Sequence, residues 1–554
     1  MTDNLRIAMA QANPTLGDIA GNIKLAREFR QEAEADGADL VVYPELFLSG
    51  YPPEDLVLKP SFIRRIKEAM DELAELTLDG GPAMLVSGPL REDGKLYNSV
   101  CLLEDGKIAA TRHKAKLPNY GVFDEVRVFE PGPLPGPIPF KGVRLGVMIC
   151  EDMWFSDVAE CLEETGAEML IVPNGSPYDH EKGDERLNYA VERVTETNLP
   201  LLYLNQIGGQ DELVFDGGSF ILNADRSLPV QMSCWKEDLL VTDWVRGADD
   251  KWSCETAHLK DPGGSHERIY QAMVLGLKDY VEKNRFPGVV LGLSGGIDSA
   301  LSAAVAVDAL GADRVHCVMM PSKYTSQESL DDAAECARML GTDLDSVSIV
   351  PAVDAYETML GNLFSGTEAD ITEENIQSRV RGVTLMAISN KFGKMVLTTG
   401  NKSEMSTGYA TIYGDMCGGY SVLKDLYKTL CFDVSEWRNS NYSSLFKGPD
   451  GPVMPKNVIT KPPTAELRED QKDEDSLPPY EVLDAILHAL VEEEKSFADI
   501  VAAGYDSETV SRIQNLLYIA EYKRRQAPPG VKITTRNFGR DRRYPITNGF
   551  RDIR

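Results

Sequence analysis

Short apolar runs alternate with amphipathic segments in the N-terminal half of the chain. Residues 18–34 carry apolar side chains at gaps of four, three, three and four, which places them on one face of a helix. These side chains are Ile19, Ile23, Ala26, Phe29 and Ala33. The apolar runs predict strands at 5–12, 38–45, 83–88, 97–104, 143–150, 168–174, 200–206 and 218–224. Many strands and few helices predict sheets packed face to face with helices outside.

The pattern changes in the C-terminal half, where each apolar run is followed by one amphipathic segment. The run 289–293 precedes a predicted helix at 298–310, and the run 314–320 precedes one at 326–340. A third pair combines 345–350 with 352–363, and a long helix at 373–392 leads into the run 394–400. Strictly alternating strands and helices predict a doubly wound parallel sheet.

The length of 554 residues is too great for one ordinary core, so we expect at least two domains. The stretch 246–266 is polar and contains Pro-Gly-Gly, which is typical of a linker. We therefore predict a first domain over 1–250, a linker over 251–266 and a second domain over 267–554. The region 446–480, rich in proline, lysine and acidic residues, is predicted to be a mobile loop.

The charge balance limits the classes of partner. With 57 basic and 87 acidic residues the formal net charge is −30, which argues against general binding to nucleic acid or to an anionic membrane. No window reaches the roughly 18 unbroken apolar residues of a membrane span, and no signal peptide is visible, so we expect a cytoplasmic protein. The nine cysteines form no C-x-x-C pair, and the six histidines show no zinc-ligand spacing.

A glycine-rich turn follows the apolar run at 289–293. Ser294, Gly295 and Gly296 would lead the chain into a helix that begins near Asp298, where backbone N–H groups and the helix dipole favour a phosphate. The lysine of a Walker motif is absent. An ordinary turn, with Asp298 as a helix cap, is the alternative interpretation.

The full phrase "GLSGGIDS" resembles the PP-loop of ATP pyrophosphatases. The resemblance implies that the whole phrase binds ATP and that Asp298 binds Mg²⁺. The implied ATP-binding residues are Gly292, Leu293, Ser294, Gly295, Gly296, Ile297, Asp298 and Ser299.

Four further phrases resemble the NAD synthetases: "ENIQSRVRG" at 374–382, "TTGNKSEMSTGYATIYGD" at 398–415, "KDLYKT" at 424–429 and "KPPTAEL" at 461–467. The resemblance implies that deamido-NAD is contacted by Asn375, Glu404 and Lys523, and that ATP is contacted by Thr399, Lys428 and Thr464. It also implies that Glu404 joins Asp298 at the Mg²⁺. Single-domain relatives usually carry a lysine at the position of Ile412, so no substrate-binding role is transferred there. Taken singly, these residues could be caps or surface charges.

Cys150 ends a predicted strand, where a cysteine is often a small buried hydrophobe. A nucleophilic thiol needs a base or a nearby cation. Glu45 also follows an apolar run, and Lys114 lies in "RHKAKLPNYGVFDE". These three residues, each in its local phrase, resemble the nitrilase superfamily, and the K-x-x-L-P spacing selects Lys114 over Lys116. The resemblance implies that Glu45 is a general base, that Lys114 stabilises the thiolate and oxyanion, and that Cys150 is the nucleophile.

The same resemblance implies that Tyr120, Ser176 and Lys182 bind glutamine. Glu125 is a candidate second acid, with a plain surface charge as the alternative. For the three glutamine-binding candidates the alternatives are a packing aromatic, a turn residue and a solvated loop charge.

The nitrilase-like and NAD-synthetase-like phrases together cover nearly the whole chain. In this order, the chain resembles the glutamine-dependent NAD synthetases. The implied fold is α/β: a nitrilase-like αββα sandwich followed by a doubly wound parallel sheet of the PP-loop type. The implied reaction makes NAD from deamido-NAD, Mg-ATP and glutamine, with AMP, pyrophosphate and glutamate as by-products. A homo-oligomer is expected, either a dimer through the synthetase domain or an octamer. The rival interpretations are another PP-loop amidotransferase and a nucleotide- and glutamine-binding sensor without turnover.

Overall fold

The computed structural model describes residues 3–180, 185–469 and 477–552. The chain divides into two units, one of Met1–Gln210 with Val214–Gly263 and one of Asp211–Leu213 with Gly264–Arg554. Each unit has its own sheets and its own hydrophobic core, as a chain of this length requires.

The first unit contains four helices and sixteen strands among its described residues. In chain order they are β1 (Asn4–Gln11), α1 (Ile19–Ala35), β2 (Leu40–Val42), α2 (Pro60–Leu76), β3 (Ala83–Glu92), β4 (Lys95–Glu104), β5 (Lys107–His113), β6 (Ile138–Phe140), β7 (Val143–Val147), α3 (Ser156–Glu164), β8 (Met169–Asn174), α4 (Glu185–Thr197), β9 (Leu201–Asn205), β10 (Ile207–Gln210), β11 (Leu213–Asp216), β12 (Phe220–Leu222), β13 (Val230–Gln231), β14 (Asp238–Arg246), β15 (Trp252–Cys254) and β16 (His258–Leu259).

Two seven-stranded sheets form the centre of this unit. Their strand orders are β15-β14-β1-β2-β3-β4-β5 and β16-β13-β12-β9-β8-β7-β6. Successive side chains of a strand point to opposite faces. Accordingly Ile7 and Met9 of β1 lie in the core between the sheets, whereas Ala8 and Ala10 pack in a second core with α1 and α2. A third core joins the other sheet to α3 and α4. The predicted αββα sandwich is confirmed.

Two strands that lead to predicted site residues are shorter than the sequence suggested. The run 38–45 forms a strand only over Leu40–Val42, and the run 143–150 only over Val143–Val147. Pro44 has no N–H to donate, and Leu46 has a φ of 49°, so the chain turns there. Glu45 and Cys150 therefore lie in turns that follow the strands, where their side chains are not committed to a sheet face.

The predicted linker at 251–266 is wrong over most of its length. Residues 252–254 form β15, which pairs with β14 at the edge of the sheet. Trp252 and Cys254 are buried, with 1% and 4% of their surface exposed, and alternate with the less buried Ser253, as expected for a strand. β16 pairs with β13, and helix α5 already begins at Ser265. The division between the units falls at Gly263, because the apolar alternation of the strand outweighs the polar composition around it.

The second unit contains twelve helices and five strands among its described residues. In chain order they are α5 (Ser265–Lys283), β17 (Val289–Gly292), α6 (Ile297–Leu310), β18 (Val315–Met319), α7 (Gln327–Leu340), β19 (Asp343–Ser346), α8 (Val350–Leu360), α9 (Ile371–Phe392), β20 (Met395–Thr398), α10 (Lys402–Thr407), β21 (Tyr420–Ser421), α11 (Lys428–Ser440), α12 (Lys456–Thr460), α13 (Tyr480–Val491), α14 (Phe497–Ala502), α15 (Ser507–Ile519) and α16 (Glu521–Arg524).

The sheet of the second unit has the order β19-β18-β17-β20-β21, and every pairing in it is parallel. The predicted doubly wound sheet is confirmed. The strand expected at 345–350 lies earlier, over Asp343–Ser346. The predicted mobile loop at 446–480 contains helix α12, and its part 470–476 lies outside the described residues.

Within the described ranges, no helix combines the length and the apolar character needed to cross a membrane.

Candidate functional site

Glu45 and Lys114 form a buried ion pair in the first unit. The Lys114 Nζ donates to Glu45 Oε1 at 2.7 Å, and both side chains are 0% exposed. The Gly175 N–H donates to Glu45 Oε2 at 2.9 Å, so both carboxylate oxygens are held. Burial alone would lower the pKa of Lys114, but the carboxylates of Glu125 and Glu45 raise it well above its ordinary value. Lys114 is therefore a fixed cation.

Cys150 opens a short 3-10 turn, Cys150–Trp154, in the same neighbourhood. Its φ is 47°, in the left-handed region that a residue with a Cβ rarely adopts, and its side chain is 5% exposed. Burial and the charge of Glu45 raise the pKa of the thiol well above its ordinary value, while Lys114 acts in the opposite direction. A raised pKa favours the protonated thiol, so a nucleophilic attack requires a base.

Asp152 ties the Cys150 turn to the loop that carries Lys114. Its Oδ1 accepts from the N–H groups of Ala115 and Lys116 at 3.0 and 2.7 Å, and its Oδ2 accepts from the Ile149 N–H at 3.0 Å. Burial raises the pKa of this carboxyl to about 6, although the three N–H groups favour its charged form. Asp152 thereby fixes the spacing between nucleophile and cation.

Lys116, the rival cation, points elsewhere. Its Nζ pairs with Asp157 at 2.7 Å, and its side chain is 27% exposed. The geometry favours Lys114 as the cation beside Glu45 and Cys150.

The three glutamine-binding candidates differ in their surroundings. Tyr120 is half-exposed, and its Oη donates to Glu151 Oε2 at 3.0 Å, beside the nucleophile. Ser176 is the residue after Gly175, whose N–H donates to Glu45. The Ser176 Oγ accepts from the Arg186 Nε at 3.0 Å. Lys182 lies outside the described residues. The binding roles of all three stay predictions.

Glu125 is buried, which excludes its interpretation as a surface charge. Its Oε1 accepts from the Lys114 Nζ at 2.9 Å and from the Tyr51 Oη at 3.0 Å. Burial raises the pKa of Glu125 from 4.5 to about 7, and the nearby charge of Glu45 acts in the same direction, against Lys114.

This raised pKa predicts a pH-dependent stability. The folded protein binds a proton at Glu125 more tightly than the unfolded chain does. This proton therefore contributes its full stabilisation to the free energy of unfolding below about pH 4.5. The stabilisation is lost as the pH rises through about 7. In the Glu125→Gln variant, we expect a smaller decline of the free energy of unfolding between pH 5 and pH 7 than in the wild type. Urea titrations of both proteins across this range measure it. Parallel curves would show that Glu125 does not titrate there.

In the second unit the sequence-predicted residues gather around one large pocket of about 480 Å³. It opens at the carboxyl end of β17, where ligands of parallel sheets bind. Every predicted ATP- or deamido-NAD-binding residue of this unit except Gly295 lines it. The lining members are Gly292, Leu293, Ser294, Gly296, Ile297, Asp298, Ser299, Asn375, Thr399, Glu404, Lys428, Thr464 and Lys523.

Gly295 lies outside the pocket lining and packs against the backbone of Ser329 in α7. Its φ is 81°, and a Cβ at this position would lie 2.2 Å from the carbonyl oxygen of Ser329. The loop can make this turn against α7 only with glycine. Ser294 is held by Ser299, whose Oγ accepts from the Ser294 N–H at 3.1 Å. The loop is thus preformed at the N-terminus of α6.

Asp298 is the centre of a polar network in the pocket. Its carboxylate accepts from the Lys428 Nζ and, at 2.9 Å, from the Asn401 Nδ2. Burial would lower the pKa of Lys428, but Asp298 and Glu404 raise it above its ordinary value. Glu404 lies on α10, one turn beyond Asn401, and its Oε2 accepts from the Asn401 N–H at 3.3 Å. Asp298, Glu404 and Lys428 therefore bring two carboxylates and one ammonium together in this pocket.

The remaining predicted residues line the pocket from separate elements. The Lys523 Nζ donates to the carbonyl oxygens of Gly408 and Ala410 at 2.7 and 2.8 Å, and burial lowers its pKa. The Asn375 Oδ1 accepts from the Thr411 Oγ1 at 3.0 Å, which leaves its amide N–H groups for other partners. Thr464 accepts from the Glu466 N–H at 3.3 Å. Their contacts with substrates stay predictions, as does that of Thr399.

Several residues of these sites were missed by the sequence reasoning. Asp152 directly follows Glu151 and Cys150, so its position was visible, but its role as a bridge depends on a loop far away in the sequence. Arg186 donates to the Ser176 carbonyl at 2.9 Å and pairs with Asp216, and nothing in its local sequence marks it. Asn401 lies within the phrase at 398–415, but its sequence context does not indicate its bond to Asp298.

The first unit therefore holds a buried cysteine with a glutamate and a lysine, the geometry of an amide-cleaving thiol enzyme, and the second unit holds a preformed phosphate loop over a nucleotide-sized pocket. Family models agree with this class: a carbon–nitrogen hydrolase model matches residues 6–248, and an NAD synthase model matches residues 269–527. The chain is 55% identical to a glutamine-dependent NAD(+) synthetase of Rhodobacter capsulatus over 552 residues, which covers 100% of both chains. It belongs to the family of glutamine-dependent NAD(+) synthetases.

More distant relatives and solved structures share the whole architecture. The synthetase of Thermotoga maritima is 42% identical over 99% of both chains. A solved structure of the glutamine-dependent NAD+ synthetase of Acinetobacter baumannii in complex with ADP is 42% identical, with a TM-score of 0.79 over 99% of both chains. A structure of the enzyme from Cytophaga hutchinsonii, at 23% identity and a TM-score of 0.83, shows the shared fold.

Proposed function

We propose that this chain converts deamido-NAD to NAD, with ammonia from glutamine and activation by ATP. The observation that carries the proposal is the presence, in one chain, of a buried Glu45–Lys114–Cys150 cluster and of a pocket lined by the phosphate loop. A glutaminase alone needs no phosphate loop, and an ammonia-using ligase alone needs no buried thiol.

The first half-reaction breaks the side-chain amide of glutamine. Glu45 accepts the Cys150 proton, and the sulfur attacks the amide carbon to give a tetrahedral oxyanion beside the Lys114 ammonium. The carbon–nitrogen bond breaks as the nitrogen takes the proton back from Glu45, and ammonia departs, which leaves a thioester on Cys150 and Glu45 again as a carboxylate. Water then attacks the thioester while Glu45 accepts its proton, and glutamate leaves as the thiol re-forms. The high pKa of the resting thiol makes the base necessary.

The second half-reaction forms the new amide in the pocket of the second unit. A carboxylate oxygen of the nicotinate ring attacks the α-phosphorus of ATP, and pyrophosphate leaves. The N–H groups at the start of α6 and the Lys428 ammonium stabilise the negative charge on the phosphates. Ammonia attacks the activated carbonyl carbon, AMP leaves with the carbon–oxygen bond pair, and loss of a proton gives NAD.

The carboxylates of the pocket fit a magnesium ion that arrives with ATP. Mg²⁺ in nucleotide sites is held by one or two carboxylates together with phosphate oxygens and waters. Asp298 and Glu404 both line the pocket, and among the described residues no group of three or more acidic, histidine or cysteine side chains forms a complete metal cage. We propose that Asp298 and Glu404 bind this ion, which when bound neutralises phosphate charge.

A product analysis tests the proposed reaction. Incubation with glutamine, Mg-ATP and deamido-NAD should yield NAD, AMP and pyrophosphate in equal amounts, together with at least as much glutamate. A mixture without deamido-NAD serves as the control and should yield no AMP. AMP formed equally without deamido-NAD would contradict the proposed acceptor, and formation of a different amide would favour another amidotransferase.

We also propose a homo-oligomer that pairs through the second unit. Helix α8 has an apolar composition and no buried residue, although it packs beside α9. The surface around both helices exposes Met359 at 72%, Leu363 at 76% and Val383 at 65%. Exposed apolar side chains on two packed helices are typical of a protein interface, and a second copy of the chain offers the same surface.

A charge on this surface should therefore separate the copies. We expect the Leu363→Glu variant to have a smaller molar mass by light scattering at micromolar concentration, because pairing would bury the new carboxylate. Leu134→Glu is the matched control, since Leu134 is an exposed leucine, at 48%, of the first unit. An unchanged molar mass in both variants would exclude this surface as the interface.

We propose the cytoplasm as the location of the protein. All nine cysteines lie within the described ranges, and none forms a disulfide. Reduced thiols are typical of the cytosol.

A further inference from the structure

Asn98 contacts both charged partners of the buried ion pair. It lies in β4, and its side chain is 0% exposed. The Asn98 Nδ2 donates to Glu45 Oε1 at 2.7 Å, the oxygen that also accepts from Lys114. The Asn98 carbonyl oxygen accepts from the Lys114 N–H at 2.8 Å. One strand residue therefore holds Glu45 through its side chain and Lys114 through its backbone.

Of the two polar atoms of the Asn98 side-chain amide, Nδ2 makes a hydrogen bond and, within the described part of the chain, Oδ1 does not. Its Oδ1 is buried and has no hydrogen-bond partner among the described residues. A buried acceptor without a partner is unfavourable, and an apolar residue of similar size would avoid this cost. Packing alone therefore does not account for an asparagine at this position, whereas the Nδ2 bond to Glu45 does.

The bond also restricts the Glu45 carboxylate. Oε1 accepts from Asn98 and Lys114, and Oε2 accepts from the Gly175 N–H. Without the Asn98 donor, Lys114 could draw the carboxylate toward Glu125, the other acceptor of its ammonium group. The carboxylate would then leave the orientation in which it faces the remaining donors.

We propose that Asn98 is a positioning residue of the glutaminase reaction, which orients the Glu45 carboxylate for proton transfer from Cys150. The inference rests on the proposed function, because it concerns the base of the first half-reaction. Asn98 acts through the Glu45 carboxylate, to which its Nδ2 donates.

The Asn98→Leu variant tests this role. We expect kcat of the glutaminase reaction to fall by about 10- to 100-fold with little change in the KM for glutamine, because a misplaced base slows the chemical step. The thermal midpoint should stay within about 3 °C of the wild type, since the unpaired Oδ1 is removed together with the lost bond. Ammonia-driven NAD formation should be unchanged.

A second variant keeps the shape of the side chain. In Asn98→Asp, the introduced carboxyl can donate to Glu45 only when protonated, and two carboxyls this close share a proton and have one raised pKa. We therefore expect the ratio of variant to wild-type glutaminase activity to rise as the pH falls from 8 to 6. A structural role alone would not give this pH dependence.

Asn223→Leu is the matched control. Asn223 is also an asparagine of the first unit, but its side chain bonds to Cys254 and Ser227. We expect a lower thermal midpoint and an unchanged kcat for the folded fraction. Full glutaminase activity of Asn98→Leu, or a flat activity ratio for Asn98→Asp, would overturn the inference. An absence of glutaminase activity in the wild type would instead contradict the proposed function.

Discussion

The Cys150→Ala variant is expected to lose glutamine-driven NAD formation by at least about 1,000-fold and to keep ammonia-driven formation. In the proposed mechanism the thiol supplies the electron pair that displaces ammonia from glutamine, and an alanine methyl group cannot replace it. The second half-reaction is proposed for the pocket of the other unit, whose lining does not include Cys150. NAD formation with saturating glutamine and, separately, with saturating ammonium chloride measures both effects.

Cys161→Ala is the matched control for this experiment. Cys161 lies on α3 in the same unit and is partly exposed, and its Sγ lies 3.8 Å from the Pro135 carbonyl oxygen. This variant should keep both activities. Glutamine-driven formation that survives in Cys150→Ala would exclude Cys150 as the nucleophile. Loss of both activities with an unchanged thermal midpoint would contradict independent sites.

The Gly295→Ala variant is expected to lose NAD formation and to keep glutamine hydrolysis, the opposite of the effect expected for Cys150→Ala. Its Cβ would lie 2.2 Å from the Ser329 carbonyl oxygen, so the phosphate loop must shift away from α7. A shift of about 1 Å at a reacting centre costs about 100-fold in rate. We expect NAD formation to fall by at least this factor with either nitrogen donor. Hydrolysis of glutamine, assayed without ATP and deamido-NAD, should persist.

Gly366→Ala controls for the backbone conformation. Gly366 has a φ of 86°, close to that of Gly295, but a Cβ there would meet no atom within 4 Å. The control variant should keep most of its NAD formation, although its backbone is strained in the same way. Normal activity of Gly295→Ala would show that the loop can move without loss of function. Equal losses of NAD formation in both variants would show that the effect comes from backbone strain and not from the contact with the Ser329 carbonyl oxygen.

The fold could be predicted from the sequence because its signals are local. The apolar spacing of Ile19 to Ala33 is a property of one helix, and the strand–helix alternation after Val289 fixes a parallel sheet. The boundaries were less accurate. Pro44 and the turn at Cys150 end two strands earlier than the apolar runs suggest, and Trp252 extends the first unit into the expected linker.

The site could be predicted only in part. Glu45, Lys114 and Cys150 could be proposed from their local phrases, and the structure places all three in one buried neighbourhood, whereas their catalytic roles stay predictions. Asn98 and Asp152 could not be assigned roles, because each acts through a hydrogen bond between segments that are remote in the sequence. Such bonds depend on the register of β4 and on loop geometry, neither of which leaves a periodic pattern.

The excess of carboxylates around Lys114 has a consequence for the end of the glutaminase cycle. Two glutamates share this one ammonium group, so no cation of the cluster is left over for a second anion. The substrate side chain is a neutral amide, whereas the product side chain is a carboxylate. Electrostatic repulsion from the Glu45 carboxylate, and from Glu125 wherever it is ionised, should lower the affinity for this product, so we expect weak product inhibition by glutamate.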